Sequence, residues 1–344
     1  MCAVSPVKFG FATLDDLPAL MAFMDEHWRK GHILAKSERL WLHEFSQDGF
    51  LSVGIAKDNL GQLLGIFGYI PYNQSPLPDI AGSLWMVTNA AQQQFPMLGI
   101  QLRDFVIKSV PHRFFAAPGA GLQTRPIYQV IRMNWHRMQQ YFWLNPDIRK
   151  PKLVKVAANF TQLPMPLADN TLSLQRITDH RQITDFNFAQ FDCILPFKDA
   201  RYVRHRFFEY PYFDYEVYAV SKNAAWINLV VCRRAEAEGR TALRVVDFYG
   251  LETYLPEILN LLSESARKHQ DEFVDFVCHG FDAQHFLKAG WTALDFEQEA
   301  LIVPNFFEPF LLKNVPVYCV SDATDFPYRQ CKADGDQDRP NTMS

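Results

Sequence analysis

The sequence predicts an α/β protein made of two similar units in tandem, each a mixed sheet flanked by helices. Three observations predict it. The order of strands and helices in the first half returns in the second at a nearly constant offset. Short runs of alternating hydrophobicity are followed by stripes at helical spacing. The 344 residues are 48% hydrophobic and 14% aromatic, enough for two packed units at roughly 150 residues each.

The opening run "VKFGFATLDDLPALMAFMDEHW" alternates at Val7, Phe9 and Phe11, as a strand does. Thr13 then offers an N-cap, with Asp15 and Asp16 where negative charge suits a helix start. Leu17, Leu20, Met21 and Met24 form the buried stripe. In the second half "TLSLQRITDHRQITDFNFAQF" alternates at Leu172 and Leu174 and reaches Thr178, 165 positions after Thr13. Two strand–turn–strand runs follow, with Lys57 and Lys222 at their turns, again 165 apart. "SLWMV" then pairs with "LRVVDF", "RFFAAPG" with "DFVCHG", and "IRMNW" with "LKAGW", the offset drifting to about 160. Each half therefore reads β-α-α-β-β-β-α-β-α-β. The expected division is a first domain over 1–148, a proline-rich linker over 149–171, a second domain over 172–318 and a polar tail over 319–344.

The formal net charge of -4 argues against a nucleic-acid partner. The six cysteines are scattered without a CxxC pair, so neither a metal site nor a redox motif is expected. Unpaired thiols suit a reducing cytoplasm, and no apolar run is long enough for a membrane span or a signal peptide. The expectation is a cytoplasmic protein with no membrane partner, monomeric or homodimeric.

The most informative stretch is "AAQQQFPMLGIQLRDFVIKSV", which follows the strand "GSLWMV". A strand, a short loop and a helix start form a natural anion site, because the first amides of a helix lack partners and the dipole favours negative charge. Gly99 is the single glycine there, so a dinucleotide loop with several glycines is not present.

The element order resembles the GNAT acyltransferases, here as a tandem pair. The stretches "WRKGHILAKSERLWLHEF", "GSLWMV" and "DGDQDRPN" resemble more narrowly the members encoded with surface-polysaccharide genes. Those acylate the amine of a nucleotide-linked deoxyamino sugar, such as a dTDP-3-amino-3,6-dideoxyhexose. The resemblance implies transfer of an acyl group, acetyl or 3-hydroxybutanoyl, from acyl-CoA, for O-antigen, lipopolysaccharide or capsule synthesis. It also implies that the loop between the fourth strand and the next helix grips the coenzyme's diphosphate. The family pattern Gln/Arg-x-x-Gly-x-Gly/Ala is met only at Gly99, with Pro96 and Gln101 at the flanking positions. The expected coenzyme contacts are Trp85, Met86, Val87, Met97, Leu98, Gly99, Ile100, Gln101 and Arg103. Val87 and Asn89 are expected near the thioester oxygen, and Tyr128 near the departing thiolate. The second half has Glu252 where a phosphate would lie, so the coenzyme is expected in the first half only.

Acyl transfer needs a neutral amine, donors for the thioester oxygen and close positioning of the two reactants. Four groups are candidates for base, His32, Asp247, His279 and Asp282, and Tyr128 is the candidate acid to the thiolate. The stretch "DARYVRHRFFEYPYF" interleaves arginines with aromatics, which suits a nucleotide sugar. Arg201, Arg204 and His205, with Tyr249 and Asp282, are the candidate acceptor contacts. A peptide or other small amine is the alternative acceptor, and a non-catalytic binding protein the alternative class.

Overall fold

The computed structural model describes residues 7–47, 49–166, 171–324 and 327–342. In chain order the strands of the first half are β1 (Lys8–Phe11), β2 (Val53–Lys57), β3 (Leu63–Pro71), β4 (Asp79–Val87), β5 (Phe114–Pro118), β6 (Asn134–Arg137) and β7 (Gln139–Leu144). Those of the second are β8 (Leu172–Ile177), β9 (Glu216–Lys222), β10 (Ala225–Ala237), β11 (Arg240–Gly250), β12 (Phe273–His279), β13 (Thr292–Ala293), β14 (Tyr318–Ser321) and β15 (Gln330–Cys331). One sheet runs β1-β2-β3-β4-β5-β14-β6; the other runs β8-β9-β10-β11-β12-β7-β13, with β15 beside β12. The expected mixed α/β architecture is present, and in each sheet five strands lie in chain order before one from elsewhere in the chain.

The sheets cross the boundaries expected from sequence. β7, placed in the first domain, lies in the second sheet between β12 and β13. β14, placed at the start of a tail, lies in the first sheet between β5 and β6. Each unit thus closes its sheet with a strand from the other. A period-two pattern shows that a stretch is a strand, not which sheet it joins. The expected linker is also partly structural. Leu153 and Val154 are buried with Phe142 and Phe273, and the Leu153 amide donates to Glu272 Oε2 at 2.7 Å.

The helices are α1 (Leu17–Phe23), α2 (Ile33–Lys36), α3 (Glu38–Phe45), α4 (Asn89–Gln94), α5 (Leu98–Ser109), α6 (Arg125–Val130), α7 (Ala200–Val203), α8 (Leu255–His269) and α9 (Ala283–Lys288). Thr13 forms a capping box with Asp16 at the 3-10 turn Leu14–Asp16 that leads into α1. Its counterpart Thr178 does not cap. Asp179 accepts from the Arg181 amide at 3.0 Å, and the segment forms 3-10 turns, His180–Asp185 and Phe188–Phe191, instead of a long helix. Asp179, Asp185 and Asn187 favour such turns over helix. α5 buries Leu98, Leu102 and Val106 at four-residue spacing. It lies so close to β2 that a Cβ on Gly54 would stand 2.2 Å from Val106 Cγ2. α8 buries Leu255, Ile258, Leu259, Leu262 and Ala266 and ends with Arg267, Lys268 and His269, where positive charge suits the dipole.

Only one pair of neighbours in each sheet is parallel, β4 with β5 and β11 with β12. β4 pairs with β5 only from Asp79↔Phe114 to Ala81↔Ala116, although β4 continues to Val87. β11 likewise pairs with β12 only from Leu243↔Val274 to Val245↔Phe276 and continues to Gly250. Both sheets therefore open into a V. The units share a core in which Trp41, Phe45 and Tyr72 of the first half pack in one cluster with Tyr202, Phe207 and Tyr215 of the second.

Candidate functional site

The segment 330–341 enters both V-shaped openings. In the second, β15 pairs with Cys278 and His279 of β12, and the Ala333 amide donates to the Val246 carbonyl at 2.9 Å. In the first, Gly335 lies against Ala81 and Pro118: a Cβ there would come within 3.1 Å and 3.0 Å of them, and its φ is +60°. Asp336 accepts a hydrogen bond from the Ser83 hydroxyl of β4. This is the stretch expected to be a polar tail; it is an interior strut.

Buried charges hold the strut from both units. Lys198 pairs with Asp247 at 2.6 Å and with Asp334 at 2.5 Å. Arg339 pairs with Glu44 at 2.7 Å and Asp336 at 3.0 Å. Arg233 reaches Asp338 at 3.1 Å and Glu308 at 2.8 Å. Arg206 donates to the carbonyl oxygens of Ala333 and Asp338 at 3.2 Å and 2.8 Å. A charge is stable in an apolar interior only when paired and hydrogen-bonded, so these contacts fix the strut's register. Burial and the charge of Asp247 push the Asp334 carboxyl up to about 6, while the Lys198 ammonium is held between the two carboxylates.

Past the parting of β4 and β5, three expected coenzyme-site residues come together. The Trp85 indole donates to the Gly99 carbonyl at 3.1 Å and meets the Tyr128 ring edge-on at 5.6 Å. A Cβ on Gly99 would lie 3.3 Å from Trp85 Nε1, so the close approach of strand and helix uses the missing side chain. No side chain caps the start of α5, where Met97 is the N-cap. The Leu98 amide donates to the Phe95 carbonyl at 2.9 Å and the Gln101 amide to that of Met97 at 2.9 Å, which leaves the Gly99 and Ile100 amides without an intrahelical acceptor. Leu98 is buried beneath this turn, Gln101 is exposed and Ile100 is half-buried. Met86 and Val87 end β4, and Asn89 opens α4, which is capped by the Thr88 hydroxyl. Burial pushes the Tyr128 hydroxyl up to about 12, so it keeps its proton. Arg103 departs from expectation. It turns inward, pairing with Asp104 at 3.1 Å and covering the Phe115 ring at 5.2 Å, away from the helix start.

A cleft of about 330 Å³ opens on one side of the strut, lined by α3, the end of β3, α7 and Gly335. Arg201 and His205 both line it. His205 stacks on His43 at 4.0 Å, and His205 Nε2 is 2.7 Å from the His43 carbonyl. Two polar atoms at this cleft, His43 Nε2 and the Tyr202 hydroxyl, are buried without a partner among the described residues. Burial, with His205 and Arg206 nearby, pushes the His43 imidazole down to about 3, so it is neutral. Nothing in the sequence pattern singled out His43 or Glu44. The signal was a histidine and a glutamate at the end of a helix whose neighbours Leu40, Trp41 and Phe45 are core residues.

The other expected site residues do not converge on the cleft. Asp247 is fully buried, tied to Lys198 and to the Tyr249 hydroxyl at 2.5 Å. It serves the strut and has no face for substrate, and Tyr249 is buried beside it. Asp282 is the N-cap of α9, accepting from the Gln284 amide at 2.9 Å. Arg204 faces outward and pairs with Glu209 at 3.1 Å. His279 stacks on His136 at 4.2 Å, and burial plus that neighbour push it down to about 4. His32 caps α2, its Nδ1 accepting from the Leu34 amide at 3.2 Å; burial first, then Arg339 and Arg29, push it down to about 4. In the second half Arg329 pairs with Glu252 at 2.7 Å, just past the end of β11.

Strand order, the splayed central pair and the helix behind it match the fold of GCN5-related N-acetyltransferases. The chain is similar to a GCN5-related N-acetyltransferase from Anabaena variabilis, at 10% identity over 84% of this chain and 71% of that one, with a TM-score of 0.56. It is also similar to the GCN5-related glucosamine N-acetyltransferase region of a fungal multi-domain GH3 beta-N-acetylglucosaminidase. There the identity is 12% over 93% of this chain and 38% of that one, with a TM-score of 0.53. A conserved protein of unknown function from Enterococcus faecalis is similar at 9% identity over 84% and 70%, with a TM-score of 0.51. These likenesses are of fold. No protein-family model and no curated protein matches the sequence. Among the described residues no helix is long and apolar enough to cross a membrane.

Proposed function

We propose that the chain transfers an acyl group from acyl-CoA, gripped at the start of α5, to an amine seated in the cleft between the units. The observation that carries this reading is the position of Gly335. It lines the cleft and also touches Ala81, in the last pair before β4 and β5 part. Opening and cleft thus meet at one residue. In the reaction the amine nitrogen bonds to the thioester carbon, the carbon–sulfur bond breaks, and the thiolate takes a proton. Tyr128, which holds its proton to high pH, is the candidate donor. His43 Nε2, neutral and without a partner, is the candidate acceptor for an amine N–H.

The acceptor that the sequence resemblance implies is a dTDP-linked amino-dideoxyhexose destined for a surface polysaccharide. The cleft's polar lining of Asn73, Gln74, Asp199 and Arg201 is in keeping with a hydroxylated, anionic molecule. Thiol release from acetyl-CoA and 3-hydroxybutanoyl-CoA, with and without dTDP-amino sugar, tests the proposal. The expected result is release that depends on the sugar's amine. Arg201→Ala should then raise the KM for the sugar nucleotide by about tenfold or more and leave that for acyl-CoA unchanged. Release that ignores the amine, or an equal effect on both KM values, contradicts it.

A further inference from the structure

On the far side of the strut lies a second pocket of about 170 Å³, bounded by Trp28 and His32 of the first unit, Asn305 to Glu308 of the second, and the strut itself. Its chemistry is unlike the cleft's. Lys332 is 4% exposed, yet among the described residues its ammonium makes neither an ion pair nor a hydrogen bond; it lies 4.5 Å over the Phe306 ring. Asn305 is 1% exposed, and its Oδ1 has no partner, while its Nδ2 donates to the Val315 carbonyl at 2.8 Å. One strong donor and one acceptor therefore remain unsatisfied at the same cavity. Leaving such groups dry is costly, which argues that something fills the space.

The surrounding charges say what. Glu308 and Asp338 are held by Arg233, Asp336 by Arg339, and Asp275 behind Lys332 by Arg244 at 2.7 Å. The pocket's own lining carries three cations, Arg233, Arg339 and Lys332, and three carboxylates, Glu308, Asp336 and Asp338, so its charge is already balanced. An anion would leave an excess negative charge, whereas a neutral molecule would not. The ligand must offer an oxygen to Lys332, a hydroxyl or amine hydrogen to Asn305, and an apolar face to Trp28 and Phe306. An apolar cavity of about 150 Å³ holds a six-membered ring. We propose that this pocket binds a neutral, polyhydroxylated six-membered ring, that is, a single hexose unit.

This assignment rests on the pocket and not on the acyl-transfer reading, so it is tested without acyl-CoA. Saturation-transfer NMR would be recorded on the full chain with free glucose, galactose, mannose and N-acetylglucosamine. Binding of at least one, with Kd in the millimolar range, is expected, weakened about tenfold or more by Lys332→Met and by Trp28→Ala. Trp28 is 40% exposed, so its truncation spares the core. In the wild-type chain the binding hexose should also slow acetylation of Lys332 by acetic anhydride, read by peptide mass spectrometry. Burial and the nearby Arg244 push this amine down to about 8, so at pH 8 a larger share of it is neutral than for an ordinary lysine. No binding by any of the four up to about 100 mM, binding unaltered in Trp28→Ala, or labelling that the sugar does not slow would overturn the proposal.

Discussion

Lys198 shows what single residues do in this interior. It stands between Asp247 and Asp334, and so joins the second sheet to the C-terminal strut. Replacing it with Met leaves two carboxylates buried and unpaired, which should cost about 3–5 kcal/mol of stability. Urea denaturation of Lys198→Met against wild type measures it; a loss below about 1 kcal/mol would mean the strut is not anchored there. Asp247 was visible in the sequence as a charge at the end of an apolar strand, and that reading suggested a base. Its partner lies 49 positions earlier, and no spacing rule links the two. The closeness of Trp85 to Gly99 was legible because strand, loop and helix follow one another directly. His43 and Lys332 were not, because their importance lies in the partners they lack.

At the scale of elements, the exchange of β7 and β14 governs how the chain can be cut. Without β14 the first sheet has a gap between β5 and β6; without β7 the second has one between β12 and β13. Residues 1–166 or 171–344 expressed alone should expose unpaired strand edges and aggregate. Co-expressed, they should copurify through a tag on either piece. Two soluble monomeric pieces would contradict the exchange. Gly335→Val tests the strut in the same way. The new side chain meets Ala81 and Pro118 with φ at +60°, so a loss of about 2 kcal/mol or more is expected by thermal denaturation. The sequence showed nearly every strand, because alternation is local. It did not show the exchange, because two equivalent sheets accept the same strand equally well by pattern.

For the whole molecule, the shared core and the strut predict one cooperative unit that weakens in acid. An unfolded histidine takes its proton near 6.5, whereas burial lowers His32, His43 and His279 to about 4, 3 and 4. Across that window the unfolded chain binds more protons, so stability rises with pH and is lost as pH falls from about 6.5 towards 4. Asp334, raised to about 6, acts in the opposite sense, as do Glu44 and Asp322, whose carboxyls burial raises, while burial lowers His136 along with the other three histidines. The urea midpoint should therefore be lower at pH 5 than at pH 7, and His279→Phe should narrow the difference; equal midpoints would contradict it. The mixed α/β class and the first strand and helix were legible from periodicity. How the halves interlock was not, since it depends on contacts between residues more than a hundred positions apart. The most direct test of acyl-CoA binding in the first unit is hydrogen exchange of the full chain with and without coenzyme A. The expected result is slowed exchange at the amides of residues 98–103. Protection at the start of α8 instead, or none at either helix, would contradict it.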